Sequence, residues 1–158
     1  MKTIHGIIAA AGALSFVQTP PASAAQTDPD VIIYRFPGVR DDGQGNGVGV
    51  ATVFHCTNFS GAQETLRFVT RNHASAIESN VTAPIPHLFS VTVSTHANFP
   101  YSSDAFLNTG EVVAGTTAIA ATSPSIICTA MTIDAANPKP DGVALRGIRF
   151  NPVPGSQE

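Results

Sequence analysis

"VGVATVFHCTNF", residues 48–59, decides how this chain folds. Its side chains alternate, with Val50, Phe54 and Cys56 on one face and His55 opposite Cys56. A period of two that ends at Ser60-Gly61 is the pattern of a β-strand, and the apolar row marks the face turned to a core. A second stretch, "IICTAMT", repeats the arrangement with Ile126, Cys128 and Ala130 on one side. Each cysteine therefore points into the apolar face of its own strand.

Working outward, the same period recurs and no 3.6-residue stripe interrupts it. "VIIYRF" (residues 31–36) reads as a strand stopped by Pro37-Gly38, and "ETLRFVTRN" (residues 64–72) sets Leu66 and Phe68 against Arg67 and Arg71. The short link between residues 59 and 64 suits a hairpin. "AIESNVT" predicts an edge strand before Pro84 and Pro86, and "LFSVTVST" a strand with Phe89, Val91 and Val93 facing one way. "HANFPYSSDAFLNTGE" reads as a long polar and aromatic loop. "GTTAIAA", "SIICTAMTID" and "VALRGIRF" (residues 143–150) complete the set before the proline-blocked tail "NPVPGSQE". The expectation is all-β: a single antiparallel β-sandwich of about seven or eight strands. Helical crossovers of the kind a parallel α/β sheet needs are missing from the pattern.

The first residues carry an export pattern. Lys2 precedes an eleven-residue apolar run, "IIAAAGALSFV" (residues 7–17), and Ala22 and Ala24 form the small-x-small site of signal peptidase. Eleven residues cover about half of the roughly 20 a membrane-spanning helix needs. The predicted cut follows Ala24, so that residues 1–24 are a signal peptide and residues 25–158 a single domain, secreted or periplasmic. That mature chain of 134 residues suffices for one core. Without Lys2 it has seven basic and eleven acidic residues, a net charge of −4. Its basic residues are scattered, which argues against nucleic acid, and no later run is apolar enough to span a membrane.

Two cysteines in an exported chain predict a disulfide between Cys56 and Cys128, two buried free thiols being the alternative. A bridge between two inward faces so far apart in sequence resembles the core disulfide of immunoglobulin-like sandwiches. Two marks of that family are missing, since the chain has no Trp and Ile126 stands where a Tyr would precede the second cysteine. "IYRFPGVRDDG", "GVATVFHCTNFSG", "SIICTAMTID" and "GIRFNPVPGSQE" are similar to stretches of small exported β-rich proteins of proteobacteria without an assigned function. That resemblance implies a compartment and no activity.

Candidate chemistry is sparse. From Asp42, "DGQGNG" follows the start of a calcium loop, with Gln44 and Asn46 in ligand places. The twelfth position, where such a loop closes with Glu, is Val53 inside the strand, so the reading is a glycine-rich turn and not a metal site. His55, His73, His87 and His96 show no local metal-ligand spacing, and no cofactor is expected. G-x-S-x-G, S-x-x-K and H-E-x-x-H are absent. The remaining candidate is the loop holding Asn98, Phe99, Tyr101, Asp104 and Phe106, whose rings suit a protein or carbohydrate partner. The plainer alternative has Phe99 and Phe106 plugging the end of the core, with Tyr101 at the rim. The sequence thus points to an exported non-catalytic binding or structural module. A hydrolytic or metal-dependent enzyme with a site built from distant loops is the runner-up.

Overall fold

The computed structural model describes residues 31–139 and 141–150; the expected signal peptide, the polar leader and the C-terminal tail lie outside them. Ten strands run in chain order: β1 Val31–Asp41, β2 Val50–Asn58, β3 Glu64–Arg71, β4 Ile77–Ile85, β5 Ser90–Ser94, β6 Ala105–Phe106, β7 Val112–Ala121, β8 Ile126–Asp134, β9 Gly142–Leu145 and β10 Ile148–Arg149. They form two five-stranded sheets, ordered β10-β1-β7-β3-β4 and β6-β5-β2-β8-β9. All pairings are antiparallel except the short parallel one between β5 and β6. No helix occurs among the described residues, and none there is long and apolar enough to cross a membrane.

The alternation seen in the sequence is what joins the sheets. Leu66 and Phe68 on β3, Ile33 and Phe36 on β1, and Ile119 on β7 share one buried cluster with Phe54, Val91, Val93 and Ile126 from the other sheet. The ring of Phe54 lies 5.8 Å from that of Phe36 and 5.9 Å from that of Phe68. One aromatic of the second sheet thus sits between two of the first, and each ring removes a large apolar area from water.

Several sequence expectations change. Among the described residues ten strands replace the expected seven or eight, because two-residue β6 is too short for alternation to register and the predicted last strand divides into β9 and β10. β1 does not stop at Pro37-Gly38. It continues to Asp41 through bulges, with Pro37 opposite Thr116 and Gly38 at φ 83°. A bulge tolerates both a missing N–H donor and a positive φ. Nor do β2 and β3 make a hairpin: β2 lies between β5 and β8, while β3 lies between β4 and β7. The link between them crosses from sheet to sheet, held by buried Asn58, whose amide donates to the carbonyls of Ala62 (2.7 Å) and Ile85 (2.9 Å). Val91 and Val93 are buried as expected, but Phe89 precedes the strand and is exposed.

The last predicted strand is also divided. β9 belongs to the second sheet and β10 to the first, so the chain changes sheets between Leu145 and Ile148. Gly147 marks the crossing, where a Cβ would overlap the Phe36 ring. A glycine permits that close approach.

The disulfide is present, but its place differs from the immunoglobulin-like expectation. Cys56 and Cys128 are direct cross-strand partners on β2 and β8 of one sheet, with Cα atoms 4.1 Å apart. So short a separation fits a non-hydrogen-bonded antiparallel pair, where facing side chains lie closest. The bridge therefore staples two neighbours within a sheet and does not tie the two sheets together.

Candidate functional site

The loop between β1 and β2 carries Asp41 and Asp42, whose carboxylates accept from protein donors. Asp42 accepts from the amides of Val50 (2.8 Å) and Gln44 (3.3 Å), so its carboxylate closes the loop on itself. Gly49 (φ 69°) lies against that carboxylate, and a Cβ there would overlap it. Asp41, which stands outside the calcium pattern, is the buried one. It accepts from Gly43 N at 2.8 Å through one oxygen, and from His96 Nδ1 at 2.8 Å and Thr109 Oγ1 at 3.2 Å through the other. Protein donors thus satisfy both carboxylates. Among the described residues no group of three or more His, Cys, Asp or Glu side chains is placed to hold a metal.

Asp41 and His96 form a buried acid–imidazole pair that spacing in the sequence does not suggest, since 55 residues separate them. The pair has the first two members of a catalytic triad, without a third among the described residues. The far ring nitrogen, Nε2, faces the carbonyl oxygen of Val48 at 3.1 Å. Nearby Ser94 donates to the backbone carbonyl of His96 (2.7 Å) and sits 2.9 Å from Ser103 Oγ, so its hydroxyl serves the loop and not the imidazole. The arrangement pins the β1–β2 loop to the end of β5 and to Thr109. Among the described residues no hydroxyl or thiol is hydrogen-bonded to the imidazole.

The aromatic loop takes a different form from the plug considered above. Residues 96–104 fold over the outer face of the second sheet. Tyr101 packs edge-on against His55 (4.7 Å between ring centroids), with its hydroxyl directed at Met131 Sδ (3.3 Å). It covers a satellite cluster of Ala51, Val53, Ile133 and Ala135. Partial burial under this loop lowers the pKa of His55 below its ordinary 6.5, because the imidazolium loses solvation. Asn98 accepts from Tyr101 N (3.0 Å) and Asp104 from Thr92 N (2.7 Å), so two of the named polar residues hold the loop in shape. Phe99, at 70% exposure, and Phe106, at 40%, point to solvent, and Leu107 fills the core position in their place. The inner and outer members of the aromatic set are thus reversed.

An open groove of about 600 Å³ is lined among others by Arg40, Val50, Thr132, Ile133, Asp134 and Asp141. It forms where the end of β1 meets the β8–β9 edge of the second sheet. Thr52 bridges the same junction, its hydroxyl donating to the Arg40 carbonyl (2.8 Å) and accepting from the Arg40 amide (2.9 Å). Arg40 and the two carboxylates line the groove without an ion pair between them. Asp134 accepts from Ala136 N and Asp141 from Asn137 Nδ2, which leaves each carboxylate an oxygen without a hydrogen-bond donor among the described residues. Thr132 Oγ1 in the wall is buried without a hydrogen-bond partner among the described residues. Phe99 is not among the residues that line the groove: its amide donates to Ala135 O and its ring packs over Gly47.

None of these groove residues stands out in the sequence. Arg40, Asp134 and Asp141 look like ordinary turn and strand-end charges until the two sheets bring them together. The chain matches no family model, no curated protein and no solved structure.

Proposed function

We propose that the protein is an exported, non-catalytic binding module, and that the groove between Arg40 and the two carboxylates takes a polyhydroxylated ligand of the carbohydrate class. The observation that carries this reading is a concave site lined by one guanidinium and two carboxylates, with no ion pair between them among the described residues. Carboxylates and a guanidinium pair with hydroxyl groups as acceptors and donors. Val50, Ile133 and Val143 supply an apolar lining, the usual background for a few placed polar groups. The buried acid–imidazole pair supports a non-catalytic role, because both of its ring nitrogens are held by protein acceptors.

Isothermal titration of the protein with a panel of neutral and acidic oligosaccharides tests the proposal. At least one should bind, with affinity falling at least tenfold in Asp134→Asn, because a hydrogen bond to a charged group is worth about 1.5–3 kcal/mol and about 1.4 kcal/mol is tenfold. No binding at millimolar saccharide, or binding indifferent to Asp134, Asp141 and Arg40, would overturn it.

A further inference from the structure

We infer that Asn80, on the open edge of the first sheet, accepts an N-linked oligosaccharide. The chain holds two N-x-S/T acceptor patterns, Asn58-Phe59-Ser60 and Asn80-Val81-Thr82. The fold separates them. Asn58 is fully buried, and its Nδ2, the atom that would carry the sugar, donates to Ala62 O and Ile85 O. A glycan there would strand both carbonyls and has no room in this fold. Asn80 and Thr82 are both exposed on β4. Asn80 Oδ1 accepts from Arg67 Nε (2.9 Å), and its Nδ2 has no acceptor among the described residues. A longer form of the pattern, D/E-x-N-x-S/T, picks out the same residue. Glu78 stands two places before Asn80, whereas Cys56 holds that place before Asn58. An acidic side chain at that position gives a transferase a charge to pair with.

The register of β4 leaves Asn80 accessible. Thr65 turns its backbone to β7, its amide donating to Thr122 Oγ1 (3.0 Å) and its carbonyl accepting from Thr122 N (3.2 Å). Thr65 faces Pro84, so Pro84 turns its backbone away from β3, and Thr82 and Asn80 do the same at every second place. β4 is the last strand of its sheet, so that side is open. An exposed edge of nine residues invites pairing with another strand. Pro84 offers no N–H there, and a glycan on Asn80 would cover the middle of the same edge. The transfer is a displacement at the anomeric carbon of a lipid-pyrophosphate-linked oligosaccharide. A bond forms from Asn80 Nδ2 to C1 and the C1–O bond breaks. The lipid pyrophosphate leaves, and one amide proton passes to a base of the transferase. The inference rests on the export part of the reading above and not on the groove.

The full chain, expressed in a bacterium carrying an oligosaccharyltransferase of the D/E-x-N-x-S/T kind and its lipid-linked oligosaccharide, provides the test. Intact-mass and glycopeptide mass spectra of the recovered protein should show one glycan per chain, on Asn80. Asn80→Gln should remove it, and Glu78→Gln or Thr82→Ala should abolish occupancy. Glu78→Asp, Thr82→Ser and Ser60→Ala should retain it, with the far-UV spectrum unchanged throughout. A chain cut after Ala24 but bearing no glycan overturns the inference and leaves export standing. A chain that keeps residues 1–17 refutes export and overturns the inference with it. A glycan on Asn58, or occupancy of Asn80 indifferent to Glu78→Gln, overturns it too.

Discussion

Gly49→Ala isolates how the glycine-rich loop is held, because two separable costs meet at one residue. Gly49 has φ 69°, and an L-residue in the left-handed region costs about 1–2 kcal/mol. Its Cβ would also overlap Asp42, displacing the carboxylate that accepts from Val50 N at 2.8 Å. A hydrogen bond to a charged group is worth about 1.5–3 kcal/mol, and the lower end applies to this partly exposed pair. Gly49→Ala should therefore cost about 3 kcal/mol. Gly45 is the control: its φ is 96° and nothing lies within 4 Å of where an alanine methyl would sit, so Gly45→Ala should cost only the backbone part, about 1–2 kcal/mol. Urea unfolding followed by far-UV circular dichroism reads both, provided the slope stays constant. In an Asp42→Ala background the extra cost at Gly49 should disappear, since the displaced partner is already gone. If Gly49→Ala proves no worse than Gly45→Ala, or its extra cost survives in that background, the carboxylate is not what closes the loop.

Replacing Cys56 and Cys128 together by Ala should cost about 4 kcal/mol, the chain-entropy value for a separation of 72 residues, and leave the far-UV spectrum of the folded form unchanged; urea midpoints of the two proteins measure it, and a loss under about 1 kcal/mol would refute it. Asp41→Ala should cost about 3–5 kcal/mol, since it strands buried His96 along with Thr109 Oγ1 and Gly43 N. Chemical unfolding should show that loss without any change in a calcium response. Calcium at millimolar concentration should not move the melting temperature, because protein amides already occupy the Asp42 oxygens. His55 has a folded-state pKa below 6.5, so between that lowered value and 6.5 the unfolded chain binds more protons than the folded one. Its contribution is complete above pH 6.5 and is lost as pH falls, and His55→Gln should flatten unfolding midpoints across that window.

Leu66, Phe68, Phe54 and Cys56 were legible as core residues, and their alternation is what the two sheets bury. The outer face of β2 was less legible. Ala51 and Val53 are fully buried because the loop carrying Tyr101 folds back over them, and alternation within a strand carries no sign of a distant loop. The same loop's exposed and covered rings were reversed, since Phe99, Tyr101 and Phe106 are chemically similar and only the path of the chain decides which one meets the sheet. Asp41 and His96 left no trace in spacing, and neither did the groove charges: each group comes from a different segment and gains meaning only when those segments meet.

By itself, the sequence determined that the described chain is built of strands, which of their faces are apolar and which two cysteines are joined, because side-chain period and thiol oxidation are local or compositional properties. Tertiary structure alone decided which strands are neighbours. Period two assigns each residue to a face, but an apolar face packs equally well opposite any other. The disulfide therefore fell within one sheet where the spacing had suggested two, the expected β2–β3 hairpin became a crossing between sheets, and the last strand divided at Gly147. Backbone hydrogen bonds and ring packing across long sequence separations settle such choices, and no short window of sequence contains both partners.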